Sequence, residues 1–411
     1  MTCAKVIHHT STTADSYRVR RNRLGSFICI ASMLNVSSMP LAAYISEYLP
    51  WRGAFTPPET HANYTSFSAA TLALHQERYS NATLPAGTTF LVDDNYNTQV
   101  VRALVPVHAQ PLRFGDCFAT SILGLPGLSF YSDSLNNFVC NVLDNPTTLV
   151  ANGSCFHLNM LSRPYDRACL WFVPGDGISS HPNKADKVVT LYFVKTELRT
   201  PAFAWFLFVY RLGTTLFVWY RLYVHYYRHC LELEARLRRF GHRLKMPAGD
   251  WSYEIVLGDP TAIVLMDAWV ASLYYLDTWF GCTNIGTATL QMQDSGDALL
   301  MLRGVMYLAR TVWFAYWGLC LVSYALKRWK KQHAFKEVDP TVVAIVVTIN
   351  GPAFTFMTGH VVIFARFYQW MFNCLIPRAF QGQEVEVGLV SIIFTVLTIH
   401  MPVAYGLVAG M

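Results

Sequence analysis

Six stretches of the chain are apolar on nearly every face for about 20 residues, enough to cross roughly 30 Å of hydrocarbon at about 1.5 Å per residue. They run over residues 24–45, 201–222, 260–281, 304–326, 341–365 and 387–409. In lipid the backbone must satisfy its own hydrogen bonds, so each stretch predicts a transmembrane helix. The first is the least hydrophobic, because Asn35, Ser37, Ser38 and Pro40 lie within it. It reads as an uncleaved signal anchor; the competing reading, a cleaved signal peptide ending near Pro40-Leu41-Ala42-Ala43, leaves residues 46–200 on the same side.

Between the first two stretches the pattern changes to short β-like runs at 88–92, 98–107, 138–143 and 188–194, separated by Gly, Pro, Asn and Asp. Residues 46–200 are therefore expected to fold as a β-rich or mixed α+β domain with a core of its own. The fold class that follows is a mainly α integral membrane protein, with six helices and one domain between helices one and two.

Composition supports a lipid environment. Of 411 residues, 53% are hydrophobic and only 14% charged, well below the roughly 25% charge of soluble domains. A net charge of +6 is too small to argue for nucleic acid, and none is expected as a partner.

Where the bases fall matters more than their number, since Lys and Arg in short flanking loops resist translocation. Arg18, Arg20, Arg21 and Arg23 precede the first stretch; Arg228, Arg236, Arg238, Arg239, Arg243 and Lys245 follow the second; Lys327, Arg328, Lys330, Lys331 and Lys336 follow the fourth. These place residues 1–23, 223–259 and 327–340 in the cytosol with both termini, and residues 46–200, 282–303 and 366–386 outside. The expected location is the plasma membrane or an endomembrane.

Four of the ten cysteines, Cys117, Cys140, Cys155 and Cys169, lie in the 46–200 segment. In an oxidising compartment they read as two disulfides, with three pairings open. The same segment holds three N-x-S/T acceptors, at Asn63, Asn81 and Asn152, as candidate glycosylation sites.

Catalytic motifs are missing from the sequence: it has no G-x-S-x-G, H-E-x-x-H, C-x-x-C, Walker loop or EF-hand. No enzymatic activity and no cofactor are expected. His61, His75, His108, His157 and His181 are scattered without metal-ligand spacing, and Asp176-Gly177 with Ser179, Ser180 and His181 reads as a turn.

Ionisable residues inside the apolar stretches are the candidate functional groups, because a charge in hydrocarbon costs about 2.5–3.5 kcal/mol on insertion scales. They are Arg211, Asp267, Asp277 and Arg310. Asp277 and Arg310 lie near the outer ends of their helices and are placed to pair, and Asp267 and Arg211 near the midplane to form a second pair. Ion pairs that lock the bundle are one reading; a polar path for a proton, ion or substrate is the other. Asn350-Gly351-Pro352 predicts a kinked or broken fifth helix, and His400-Met401-Pro402 an interruption of the sixth, with His360 in the outer half of the fifth. Gly406 and Gly410 form a G-x-x-x-G, a signature of close helix contact.

After the second stretch Tyr226, Cys230, Leu233, Leu237, Phe240 and Leu244 make an apolar seam of period 3.5 flanked by arginines, which predicts a helix continuing into the cytosol. Residues 226–245 and the basic cluster 327–331 suit an anionic leaflet. The seam also suits a second copy, giving a homo-oligomer, or the underside of its own bundle.

Two function classes remain. A receptor or assembly component accounts for the disulfide-bonded ectodomain and the lack of catalytic motifs. A transporter or channel subunit accounts for the intramembrane Asp and Arg and for interruptions in helices five and six.

Overall fold

The computed structural model describes residues 4–11, 18–52, 61–85, 87–106, 117–144, 153–174, 188–243, 250–258, 260–336, 338–374 and 376–410. It is mainly helical and carries a sheet domain. Two strands, β1 (Ala4–Ser11) and β2 (Arg18–Arg21), precede helix α1 (Arg23–Ala42), which closes in a 3-10 turn, Ala43–Ile45. Asn22 caps α1 by accepting from the Gly25 amide.

Helix α2 (Tyr64–Arg78) leads into β3 (Phe90–Asp93) and β4 (Thr98–Pro106). Helix α3 (Asp133–Asp144), β5 (Gly153–Met160), β6 (Arg163–Pro174) and β7 (Val188–Glu197) complete this part of the chain.

Helix α4 (Pro201–Leu222) continues through a wide turn at Tyr223–Tyr227 into α5 (Arg228–Arg243), and β8 (Asp250–Leu257) follows. Then come α6 (Thr261–Leu265), α7 (Ala268–Phe280), α8 (Thr283–Asp294) and α9 (Ala298–Leu308). The chain ends with α10 (Val312–Arg328), α11 (Pro340–His360), α12 (Val362–Cys374), β9 (Glu384–Glu386) and α13 (Val387–Gly410).

Among the described residues, five helices are long and apolar enough to cross a membrane, over Arg23–Ile45, Pro201–Arg239, Ala298–Arg328, Val342–His360 and Ser391–Gly410. The expected sixth, 260–281, is absent from that set because Asp267 divides it. Its side chain accepts from the amides of Trp269 and Val270 and so starts α7 afresh. At about 1.5 Å per residue, α7 reaches only about 20 Å.

The outer faces of the bundle helices are apolar. On α4 the buried stripe is Ala204, Leu207, Arg211, Thr214, Val218 and Leu222, whereas Val209 and Leu216 are each 62% exposed and Arg211 is 0%. Helix α13 repeats this, burying Thr395, Thr398 and Pro402 and exposing Val396, Leu397 and Val408. An apolar outer surface suits a hydrocarbon solvent.

Two sheets gather the connections into two sets. In the smaller, ordered β1-β8-β2, β8 pairs antiparallel with β1 and parallel with β2, joining the N-terminal segment to the α5–α6 connection. The larger is ordered β3-β4-β7-β6-β5-β9, so Glu384–Glu386, just before α13, adds an edge strand to the domain formed by 61–197. Glu386 fixes that edge by accepting from the amides of Leu161, Ser162 and Gly388.

The domain does not stand apart from the helices. One face of its sheet shares a core with α3, Leu290 of α8, and Ala365 and Met371 of α12, with Val387 and Ile393 of α13 against it. The other face packs Phe67 of α2 against Trp171 and Tyr192.

Several expected elements differ. Residues 138–143, expected as a strand, lie in α3, whose buried Leu135, Val139, Val142 and Leu143 repeat at helical spacing. Strands β5 and β6 escaped the expected set because β6 is covered on both faces and shows no alternation. Residues 282–303, expected as a loop, form α8 and half of α9. Helix α11 runs unbroken through Gly351-Pro352 and ends at His360, and α12 follows after Val361 and contributes to the domain core. Helix α13 is likewise continuous through Pro402.

Candidate functional site

Where the sheet domain meets the bundle, six charged side chains form one buried chain: Glu197, Arg199, Glu47, Arg211, Asp277 and Arg310. Local structure delivers each. Glu47 follows the 3-10 turn of α1, its amide bonded to the Ala43 carbonyl. Arg199 directly precedes Thr200, which caps α4 ahead of Pro201. Arg211 and Asp277 lie on the buried stripes of α4 and α7, and Arg310 in the 3-10 turn Ala309–Thr311 between α9 and α10.

Arg211 uses all three nitrogens. Nη1 and Nη2 donate to Glu47 Oε2 and Oε1 at 2.7 and 2.8 Å, and Nε donates to Asp277 Oδ1 at 2.7 Å. Arg310 donates to the other Asp277 oxygen, and Arg199 reaches Glu47 Oε2 at 3.0 Å and Glu197 at 3.4 Å. The Tyr307 hydroxyl lies 2.6 Å from Glu47 Oε1 and 2.7 Å from the Gly281 carbonyl oxygen. Gly281 is required by that close approach: a Cβ would stand 2.7 Å from the hydroxyl. Asn284, with its amide turned so that Nδ2 donates to Glu197 and Oδ1 accepts from Arg199, closes the outer end.

A further pair lies beside this chain. Lys195 on β7 meets Asp166 on β6, both within 1% of complete burial, and Lys195 Nζ donates to Thr287 of α8 at 3.1 Å. The eight groups comprise four acids and four bases, none more than 8% exposed. Such a set is tolerable in a low dielectric only because every charge is matched and hydrogen-bonded. Burial pushes the Glu47 carboxyl up, but Arg211 and Arg199 outweigh it and hold it well below the ordinary carboxylate range. At Asp166 burial prevails over Lys195, with Glu197 adding to it, and holds the carboxyl above the ordinary carboxylate range.

The residues singled out from sequence fare unequally. Asp277 and Arg310 meet, as their depths suggested. Arg211 and Asp267 do not: Arg211 is taken by Glu47 and Asp277, while Asp267 caps α7 and binds Arg221 at the other end of α4. Asn350, His360 and His400 are exposed on α11 and α13 and join no common site. His360 stacks on Phe356, its Nδ1 3.0 Å from that residue's carbonyl oxygen. Glu47, Arg199, Glu197 and Tyr307 went unnoticed because each lies just outside an apolar stretch or is itself amphipathic.

Two cysteine pairs lie at disulfide distance, Cys117 with Cys140 and Cys155 with Cys169. Asn63 is exposed and caps α2; Asn81 sits in a turn and bonds Tyr192. Asn152, residues 176–181 expected as a turn, and His108 lie outside the described residues.

The basic helix and its neighbours also acquire contacts. Glu234 of α5 is bridged by Arg21 of β2 and by Arg238, so α5 packs beneath its own chain on that face. Leu244 and Lys245 lie outside the described residues. Lys327, Arg328, Lys330 and Lys331 are exposed. Gly406 and Gly410 face the Ala334–Phe335 backbone and ring rather than another helix, and the Lys336 amide bonds the Gly406 carbonyl. Comparison with family models, curated proteins and solved structures finds no match to this chain.

Proposed function

We propose that this chain is a multi-pass integral membrane protein that mounts an extracytosolic recognition domain rigidly on its bundle, and so serves as a receptor or assembly component. The observation that carries the reading is the balanced, buried charge chain from Glu197 to Arg310. Breaking any link in it would strand a charge in a dry interior, which costs several kcal/mol and disfavours relative motion of domain and helices.

The sidedness read from the bases gains support from the two sheets. Strands β1, β2 and β8 share one sheet, and the 332–336 turn packs on the end of α13; all belong to the set assigned to the cytosol. Strands β3 to β7 and β9 share the other sheet and belong to the set assigned outside. With α6 and α7 together as a short, divided third crossing, six crossings satisfy both sets. Asn63 and Asn81 then face an oxidising, glycosylating compartment together with the two cysteine pairs.

Spin labels at Asn95→Cys and Lys331→Cys in nanodiscs test the rigid mount. One narrow distance distribution, unchanged by sodium, potassium or pH gradients, is expected. Two populations whose ratio follows an ion would overturn the reading in favour of transport.

A further inference from the structure

A cleft of about 330 Å³ opens beside the charge chain, between the segment that leaves α1 and the edge of the large sheet. Its walls come from Tyr44 to Leu49 and Arg52, from Val92 and Asp94, from Gln99 of β4, from Gln291 of α8 and from Arg303 of α9. Three of its properties bear on what it takes.

First, it holds spare positive charge. Arg52 and Arg303 are exposed, and among the described residues neither guanidinium has an ion-pair partner. The wall also holds two carboxylates: Glu47, already held by Arg199 and Arg211, and Asp94, hydrogen-bonded to Tyr48. Two free guanidiniums in a concave site select an oxyanion, phosphate above all.

Second, it holds spare acceptors. Gln99 and Gln291 line the cleft at 6% and 4% exposure, and the carboxamide oxygen of each is buried without a hydrogen-bond partner. Such a group forfeits its hydration for nothing unless a donor arrives. Third, the cleft lies at the ends of two membrane-length helices, just beyond Ile45 and beside Arg303 of the Ala298–Arg328 helix. In a bilayer those positions fall at head-group depth.

We infer that this cleft binds a phosphate ester carrying a primary ammonium, the head group of an ethanolamine phospholipid, with phosphate on Arg52 and Arg303 and ammonium protons on Gln99 and Gln291. The lipid as source rests on the membrane reading above; the recognition chemistry is the same for a free phosphoethanolamine ester. Carbonate extraction of the wild-type protein tests the membrane reading separately.

A choline head group is the informative comparison, because it carries the same phosphate and charge but has no N–H to donate. Full-length protein in mixed ethanolamine and choline lipid is examined by native mass spectrometry. Retained ethanolamine lipid should exceed choline lipid by about tenfold, the worth of one charge-assisted hydrogen bond. Gln99→Leu with Gln291→Leu should abolish the preference, and Arg52→Gln with Arg303→Gln should reduce retention of both. Stabilisation by soluble glycerophosphoethanolamine, lost in Arg52→Gln/Arg303→Gln, with no selective lipid retention would support the chemistry and assign a soluble source. Equal retention of both lipids by wild-type protein, with no effect of the soluble ester, overturns the inference and needs no variant to fold.

Discussion

Arg211 and Glu47 stand 164 positions apart in sequence and meet through two parallel hydrogen bonds of 2.7 and 2.8 Å. One comes from the middle of a membrane-length helix and the other from the segment just beyond a different one. Their fork is the centre from which the domain and the bundle are tied.

Glu47→Ala should therefore cost about 3–5 kcal/mol, because it leaves Arg211 and Arg199 facing an empty, dry site. Glu47→Met with Arg211→Met should cost less than the two single changes added together. Detergent-resistant folding and melting of the four proteins form the cycle, and a coupling energy near zero would contradict the contact.

Asp267 predicts a contrasting result. It caps α7 and binds Arg221, so Asp267→Ala should destabilise by about 1–2 kcal/mol through the lost cap. Since it does not touch Arg211, Asp267→Asn and Arg211→Leu should be additive. Rescue of one by the other would restore the pairing that sequence depth alone had suggested.

His75 supplies a pH signature. Burial, with Arg167 and Arg78 nearby, drives its imidazole down to about 3, so the folded domain keeps it neutral while the unfolded chain protonates it near 6.5. Between those values the unfolded state binds the extra proton, so stability is complete above about 6.5 and is lost as pH falls. The loss from this group should reach about 2 kcal/mol at pH 5, at 1.36 kcal/mol per unit. His75→Leu should flatten that part of the melting-versus-pH profile; an unchanged slope would refute the assignment.

The cysteine pairs should protect four of the ten thiols from alkylation in denaturant until a reductant is added. The Cys155–Cys169 link closes a short loop between β5 and β6, and replacing both residues with Ala should cost about 3 kcal/mol. Alkylation of all ten without reduction would contradict both links.

How much of this was legible in the sequence depends on whether a signal was local. The membrane-length helices, the four cysteines of the 46–200 segment and the helix continuing past α4 announce themselves in windows of 20 residues or fewer. Division of the third stretch was legible too, in an Asp placed where a cap would start a new helix, but hydrophobic length hid it. Strand β9 and the sharing of one core between Leu170 and Met371 depend on contacts some 200 positions apart, which no window reports. The charge network was half visible: Arg211, Asp277 and Arg310 stand out against apolar neighbours, whereas Glu47 and Arg199 look like ordinary flanking charges. Asn350, His360 and His400 show the reverse error, since polar residues in a helix are equally able to face outward.

The central claim is that the two sets of connections lie on opposite faces of a bilayer. An impermeant maleimide applied to sealed vesicles carrying either Ser80→Cys or Lys331→Cys tests it most directly, in a background where the cysteines outside the two pairs are replaced by serine. Labelling of one position before permeabilisation and of the other only afterwards is the predicted result. Equal labelling of both in sealed vesicles would contradict it.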